Sequence, residues 1–257
     1  MNERPNAIDN SPSEVKARLA GMSRRGFAGA GLSVLAAVGG LKWLGSQPLD
    51  DGIAWPLRSI FELNERLWMA NGQGQLAREF STKLAREPKV NGDIGLNLGR
   101  QRLGELPPDP IVVRIEGPAG LLVKSFGPRD FARLPRVAST TELKCVEGWS
   151  AIVEWSGYRF ADFAQLLGLS TKYVALETPG GGYYVGLDSV AAWHPRTLLC
   201  DTMNGQPLNR SHGGPLRLVI PTKYGVKSLK NIGKIRFTEN RPRDFWAEQG
   251  YDWYLGL

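Results

Sequence analysis

The chain has 257 residues, 42% of them hydrophobic, 22% charged and 9% aromatic. This composition excludes a disordered, collagenous or multi-span membrane protein and suits one main domain with additions. The formal charge is +7; the first 46 residues hold six basic and three acidic side chains, so the remainder stands at 7 − 3 = +4, too mild to argue for nucleic acid. Two cysteines and two histidines, with no C-x-x-C, C-x-x-C-H or H-x-x-x-H spacing, exclude a disulfide scaffold, a cysteine-rich zinc site and a c-type haem.

In chain order, residues 1–46 read as an export signal. Arg24 and Arg25 precede an uncharged run of 16 residues, Gly26 to Leu41. As a helix that run would reach about 24 Å, short of a hydrocarbon core of ~30 Å. Paired arginines before such a run mark the bacterial twin-arginine route, with the periplasm as destination. No A-x-A site follows, which leaves a retained N-terminal anchor as the alternative. The route carries proteins already folded, often around a cofactor, so a cofactor enzyme is the first idea to test.

Residues 47–89 form a helical N-terminal extension. The spacing of Ile60, Leu63 and Leu67 predicts a helix over 59–71, and that of Leu76, Phe80 and Leu84 a second over 75–86, closed by Pro88. Both are one-sided and are expected to dock on a larger body. Residues 90–257 form the main domain. Strands are expected at 111–116, 121–125, 142–145, 173–177, 183–186, 216–220 and 232–237, helical turns at 131–134 and 187–191, and a helix at 159–167 stopped by Gly168. Strands scattered among short helices indicate an α+β fold.

Chemistry concentrates in two places. Cys145, beside Lys144 and followed by Glu147-Gly148-Trp149, is a candidate ligand or nucleophile, because a thiolate is the reactive form of sulfur. The plainer alternatives are a buried structural cysteine, or a disulfide with Cys200 in an oxidising compartment. Cys200 sits in an apolar context that favours burial. Further on, Arg217, Lys223, Lys227, Lys230, Lys234 and Arg236 form a basic run interleaved with Tyr, Gly, Val and Leu. A solvated face is the ordinary reading of such a run. With His212-Gly213-Gly214-Pro215 upstream, it also suits an anionic ligand held by ammonium groups and backbone N–H.

Lys144-Cys145-Val146-Glu147-Gly148-Trp149-Ser150, then Gly213-Gly214-Pro215-Leu216-Arg217-Leu218, then Lys223-Tyr224-Gly225-Val226-Lys227-Ser228-Leu229-Lys230 resemble, in this order, the molybdopterin-binding domain of the sulfite oxidase family. The likeness covers roughly residues 90–257 and is strongest to the bacterial exported branch, which includes the catalytic subunit of periplasmic methionine sulfoxide reductase. It implies a sulfite-oxidase-type fold with mixed β-sheets and short helices. It also implies a molybdenum–molybdopterin cofactor with Cys145 as the protein ligand of the metal, a role that suits soft sulfur. By motif position, Arg217, Ser228, Leu229 and Lys230 fall where the family contacts the pterin phosphate. His212 stands where the branch has Asn, Asn91 and Thr178 are further cofactor candidates, and Glu147 is placed beside the metal to handle protons.

The resemblance implies two-electron oxygen-atom transfer, either sulfoxide reduction or sulfite-type oxidation, on a small or protein-bound sulfur substrate. Only 23 residues follow Lys234, too few for an immunoglobulin-like dimerisation domain of about 100, so a monomer is expected. With no haem motif, electrons are exchanged with a separate haem- or quinone-linked partner, membrane-bound or not. Two rivals stand beside this: a cysteine hydrolase pairing Cys145 with His194 or His212, and an exported binding module that has lost the metal. The aromatic tail 245–254 is either core cover or a docking surface.

Overall fold

The computed structural model describes residues 12–13, 16, 33–72, 77–90 and 113–257. The paired arginines, Asn91 and the start of the strand expected at 111 lie outside them. Two compact units separate, one of residues 1–50 with 54–56 and one of residues 51–53 with 57–257. In the first, residues 33–45 are helical.

The second unit is built on two five-stranded sheets. The first is made of β1 (Val113–Glu116), β2 (Leu122–Phe126), β5 (Tyr173–Glu177), β6 (Tyr184–Asp188) and β10 (Lys234–Thr238), in the order β2-β1-β10-β5-β6. Its β1–β10 pair is parallel, with Ile235 opposite Ile115, and the others are antiparallel. The second contains β3 (Arg136–Lys144), β4 (Ser150–Arg159), β7 (Leu198–Met203), β8 (Gln206–Pro207) and β9 (Arg217–Val219). Its order is β8-β7-β4-β3, with β9 also on β7. Short helices follow the strands: α2 (Pro128–Phe131), α3 (Phe160–Leu166) and α4 (Ser189–Ala192), the last capped by Asp188, whose carboxylate accepts from the Ala191 N–H.

Period-two alternation sorts the second sheet's side chains between two cores. Leu199 and Leu218 join Ile115, Leu176, Ile235, Phe160 and Phe163 in the larger cluster. Leu198, Cys200 and Val219 join Val153 and Trp155 in the smaller one. Cys200 is therefore a packing residue; burial pushes its thiol up, and neither cysteine is in a disulfide.

Two expectations change. Of the segment 75–86, the described residues 77–86 are not an α-helix: residues 77–81 carry no regular structure and Thr82–Leu84 form a single 3-10 turn. Its backbone is taken up by the sheet instead, with Phe80 N–H donating to Thr140 C=O and Arg86 N–H to Ile152 C=O. A strap bonded to β3 and β4 replaces the helix its spacing predicts. The other helix exists as α1 (Trp55–Gly72), but with its faces reversed. Arg58 and Glu65 are buried, while Ile60, Leu63 and Leu67 are exposed.

Candidate active site

The nine residues of β3 pair in register with β4, from Arg136 opposite Tyr158 to Lys144 opposite Ser150. The turn that closes this hairpin begins at Cys145. Its N–H donates to Trp149 C=O at 2.9 Å, its C=O accepts from Gly148 N–H, and Gly148 takes φ 86°, a conformation open to glycine. The ladder thus fixes the Cys145 backbone at the sheet's end, with the residue 7% exposed.

Cys145 lines a cavity of about 290 Å³. Glu147, His212, Arg217, Ser228 and Lys230 line the same cavity, as do Trp149, Tyr183, Trp246 and Tyr251. The three sequence blocks, separated by as many as 85 residues (145 to 230), therefore converge.

The cationic part is assembled from β9 and the loop after it. Arg217 donates to His212 C=O at 2.8 Å and Ser228 C=O at 3.2 Å, and lies over the Trp155 ring at 4.6 Å. Lys230 donates to Ser211 C=O at 2.9 Å. Burial lowers the Arg217 guanidinium to about 10 and the Lys230 ammonium to about 8, the latter helped by the Arg217 charge. Gly213 makes room for Lys230: a Cβ there would come within 2.9 Å of the Lys230 Cα, and its φ is 99°. His212 is buried with its Nε2 2.9 Å from the exposed Glu87 carboxylate. Burial pushes the imidazole below its ordinary value, against the pull of Glu87.

The other lysines of the run have different work. Lys227 donates to Asp244 at 2.5 Å and to Gly186 C=O, and Lys223 to Asp188 at 2.9 Å, all with buried side chains. Lys234 pairs with Glu177. Of the six residues read as one anionic-ligand site, Arg217 and Lys230 line the cavity, these three are neutralised elsewhere, and Arg236, on β10, is not among the lining residues.

Other candidates divide similarly. Ser228 lines the cavity while its Oγ accepts from Ile220 N–H. Leu229 is wholly buried in the larger core, and its C=O accepts from Leu218 N–H. Thr178 braces the β5–β6 turn, its hydroxyl bonded to both backbone groups of Tyr183, and is not among the residues lining the cavity. Glu147 is exposed and accepts from Trp149 Nε1 at 3.0 Å.

Sequence reasoning missed two features. One is the aromatic wall: Trp246 Nε1 donates to Tyr183 Oη, which donates to Val226 C=O, and Tyr251 meets Trp246 edge-on at 5.2 Å. Burial pushes the Tyr183 phenol up, keeping it neutral. The other is Asn231, next to Lys230, whose N–H donates to Gly213 C=O; both polar side-chain atoms are buried without a partner among the described residues. Its Asn-Ile-Gly context carries no signal.

The donor set fits the cofactor that the resemblance implies. A soft thiol shares a cavity with the buried Arg217 guanidinium and the half-buried Lys230 ammonium, whose hydrogen bonds among the described residues go to neutral carbonyls. An orphaned buried amide follows the second. An anion bearing a sulfur-ligated metal suits the thiol and the two cations.

Comparison with known proteins agrees. The family described as "oxidoreductase molybdopterin binding domain" matches residues 107–246. A protein of Azospira oryzae named "putative protein-methionine-sulfoxide reductase subunit" is 42% identical over 125 residues, 48% of this chain and 47% of its own. The protein-methionine-sulfoxide reductase catalytic subunit of Xanthomonas campestris pv. campestris is 40% identical over 122 residues, 41% of this chain and 38% of its own. The matches thus span about half or less of those relatives' lengths. The crystal structure of the sulfane dehydrogenase SoxCD from Paracoccus pantotrophus aligns with a TM-score of 0.48 at 18% identity, over 63% of this chain and 47% of that one. The family match covers more than half of the sequence, with the Cys145 hairpin and the Arg217–Lys230 segment inside it: the chain belongs to the oxidoreductase molybdopterin-binding domain family.

Proposed function

We propose that the chain is an exported molybdopterin oxidoreductase that reduces a sulfoxide by two-electron oxygen-atom transfer, with electrons from a separate haem- or quinone-linked partner. The observation that carries this is the meeting of the Cys145 thiol with the Arg217–Lys230 cations in one aromatic-walled cavity. The names of the relatives support the sulfur substrate, and Arg24-Arg25 support the export route.

Bound molybdenum–molybdopterin supplies the redox chemistry. The protein holds and orients it. Cys145 binds the metal through its thiolate, and the rigid hairpin end sets where that sulfur points. Arg217 and Lys230 would bind the phosphate through charge-assisted hydrogen bonds, with His212 lining the same cavity. Trp149, Tyr183, Trp246 and Tyr251 exclude water and give a sulfide the aromatic contacts that polarizable sulfur favours. Reducing a sulfoxide to its sulfide and water consumes two protons with the two electrons. Glu147, at the exposed rim, is placed to hand protons in from solvent.

The hydrolase alternative has nothing in its favour. His194 accepts the Arg196 N–H through Nδ1 and is not among the cavity-lining residues, and His212 Nε2 is engaged with Glu87. The decisive experiment is Cys145→Ser in protein purified from a molybdenum-competent host. Turnover of methionine sulfoxide with an artificial reductant should vanish while the fold and the pterin content persist. Full turnover in that variant removes Cys145 as the ligand and the proposal with it.

A further inference from the structure

The aromatic wall of the cavity is held twice, by its backbone and by one hydroxyl. The backbone is fixed from two sides. The Asp244 carboxylate accepts from the N–H of Trp246 at 3.1 Å and of Ala247 at 3.2 Å, and is itself paired with the buried Lys227. Arg58, buried on α1, donates to the carbonyls of Asp51, Ala247 and Tyr251 at 2.9 Å each. These bonds seat the turn from Trp246 to Tyr251 without engaging the Trp246 indole.

The indole is set by Tyr183. Its Nε1 donates to Tyr183 Oη at 3.0 Å, and that hydroxyl donates onward to Val226 C=O at 2.7 Å. Tyr183 is buried, and its own N–H and C=O are both bonded to Thr178. The hydroxyl therefore accepts from one side of the cavity and donates to the other. Val226 belongs to the segment that runs on into Ser228 and Lys230, and Val226 and Trp246 both line the cavity. Phe245 and Tyr251 meet the indole edge-on at 5.4 Å and 5.2 Å. Such ring contacts have broad geometry, whereas a hydrogen bond is directional and selects one orientation.

We propose that Tyr183 is a positioning residue for the substrate: its hydroxyl fixes the Trp246 indole at a set spacing from the Val226–Lys230 segment, and the fixed indole is the wall against which the sulfoxide packs. This rests on the sulfoxide-reductase reading above. The hydroxyl has one proton, already given to Val226, so it acts through the indole and not as a donor to the substrate. Losing it should weaken substrate binding in the ground and transition states alike, which raises KM more than it lowers kcat.

The test uses the full chain from a molybdenum-competent host, as wild type, Tyr183→Phe, Trp246→Phe and the double variant. Tyr183→Phe keeps the ring and removes only the hydroxyl. Its molybdenum content should match the wild type, while KM for methionine sulfoxide rises about tenfold and kcat falls much less. The double variant should be no worse than Trp246→Phe, because the hydroxyl then has no indole to hold. A second readout is free of turnover: in protein labelled with 5-fluorotryptophan, the fluorine resonance of Trp246, identified by its loss in Trp246→Phe, should shift in Tyr183→Phe. If Tyr183→Phe does not fold, Trp246→Phe alone, which removes the N–H and keeps a ring, must raise KM in the same sense. An unchanged KM, an unshifted resonance, or single effects that multiply in the double variant would overturn the proposal. So would loss of molybdenum from Tyr183→Phe, which would make the tyrosine a cofactor-holding residue. A wild type that carries molybdenum and reduces no sulfoxide breaks the reading above and this inference with it; an active wild type with unaffected variants breaks this inference alone.

Discussion

Two pairs of cations from one stretch of sequence meet opposite fates. Lys223 and Lys227 are buried against Asp188 and Asp244, each a closed pair with an aromatic ring beside it, Tyr254 and Trp253 respectively. Arg217 and Lys230 are bonded, among the described residues, to carbonyl oxygens, those of His212 and Ser228 for one and of Ser211 for the other. A carbonyl satisfies a donor but does not neutralise a charge. The first pair is therefore structure, and the second is the pair proposed above to hold an anion. Spacing in the sequence does not separate them; the position of acidic partners, one of them at residue 244, does.

Replacing one member of a closed pair should have the largest effect. Lys227→Ala leaves the Asp244 carboxylate buried without its cation and should cost about 3–5 kcal/mol in urea unfolding. Lys227→Ala together with Asp244→Ala should recover part of that loss. Arg217→Ala should spare more of the fold and instead cost about a hundredfold or more in cofactor affinity, read as molybdenum and pterin content after purification. Equal cofactor content in Arg217→Ala and wild type would collapse the distinction between the two pairs.

A pH titration sharpens it. The Lys230 ammonium sits near 8, against an ordinary 10.5. Anion binding needs the protonated form, so cofactor affinity should weaken as pH rises above about 8, by up to about tenfold per unit. The cofactor-free fold should move the other way and gain stability over the same window, because there the unfolded chain binds more protons than the native one. Lys230→Met should flatten the first slope and leave the second to Lys223, also held near 8 by burial. The smallest effect belongs to Glu87→Gln. Glu87 is 67% exposed, so its bond to His212 is screened and its loss should change stability by about 1 kcal/mol or less.

Legibility follows local pattern. The strand 173–177 is readable to the residue because its apolar side chains are bounded by turns. The β3–β4 hairpin that carries Cys145 is legible only at its tip. Its sequence Arg-Val-Ala-Ser-Thr-Thr-Glu-Leu-Lys has little hydrophobic alternation, and Ser139, Thr140 and Thr141 are buried by tertiary contact. The strap at 77–90 has helical spacing but gives its hydrogen bonds to a sheet formed fifty or more residues later. In the site, Cys145, Arg217 and Lys230 are marked by their motifs. The aromatic wall is marked only in part: Trp149 falls inside the Cys145 motif, while Tyr183, Trp246 and Tyr251, scattered along the chain, carry no period. Thr178 enters the candidate set by position alone, and the structure gives it a turn to brace.

The three carbonyls that hold Arg58 have a consequence for biosynthesis. Two belong to Ala247 and Tyr251, 189 and 193 residues downstream. These contacts cannot form until residue 251 has left the ribosome, and contacts of such separation are slow to find. Helix α1 therefore spends translation undocked, with both its polar and its apolar faces available to whatever escorts the nascent chain. A chain truncated before residue 247 should keep the two sheets and lose the seat of its first long helix, which limited proteolysis within residues 57–72 would reveal.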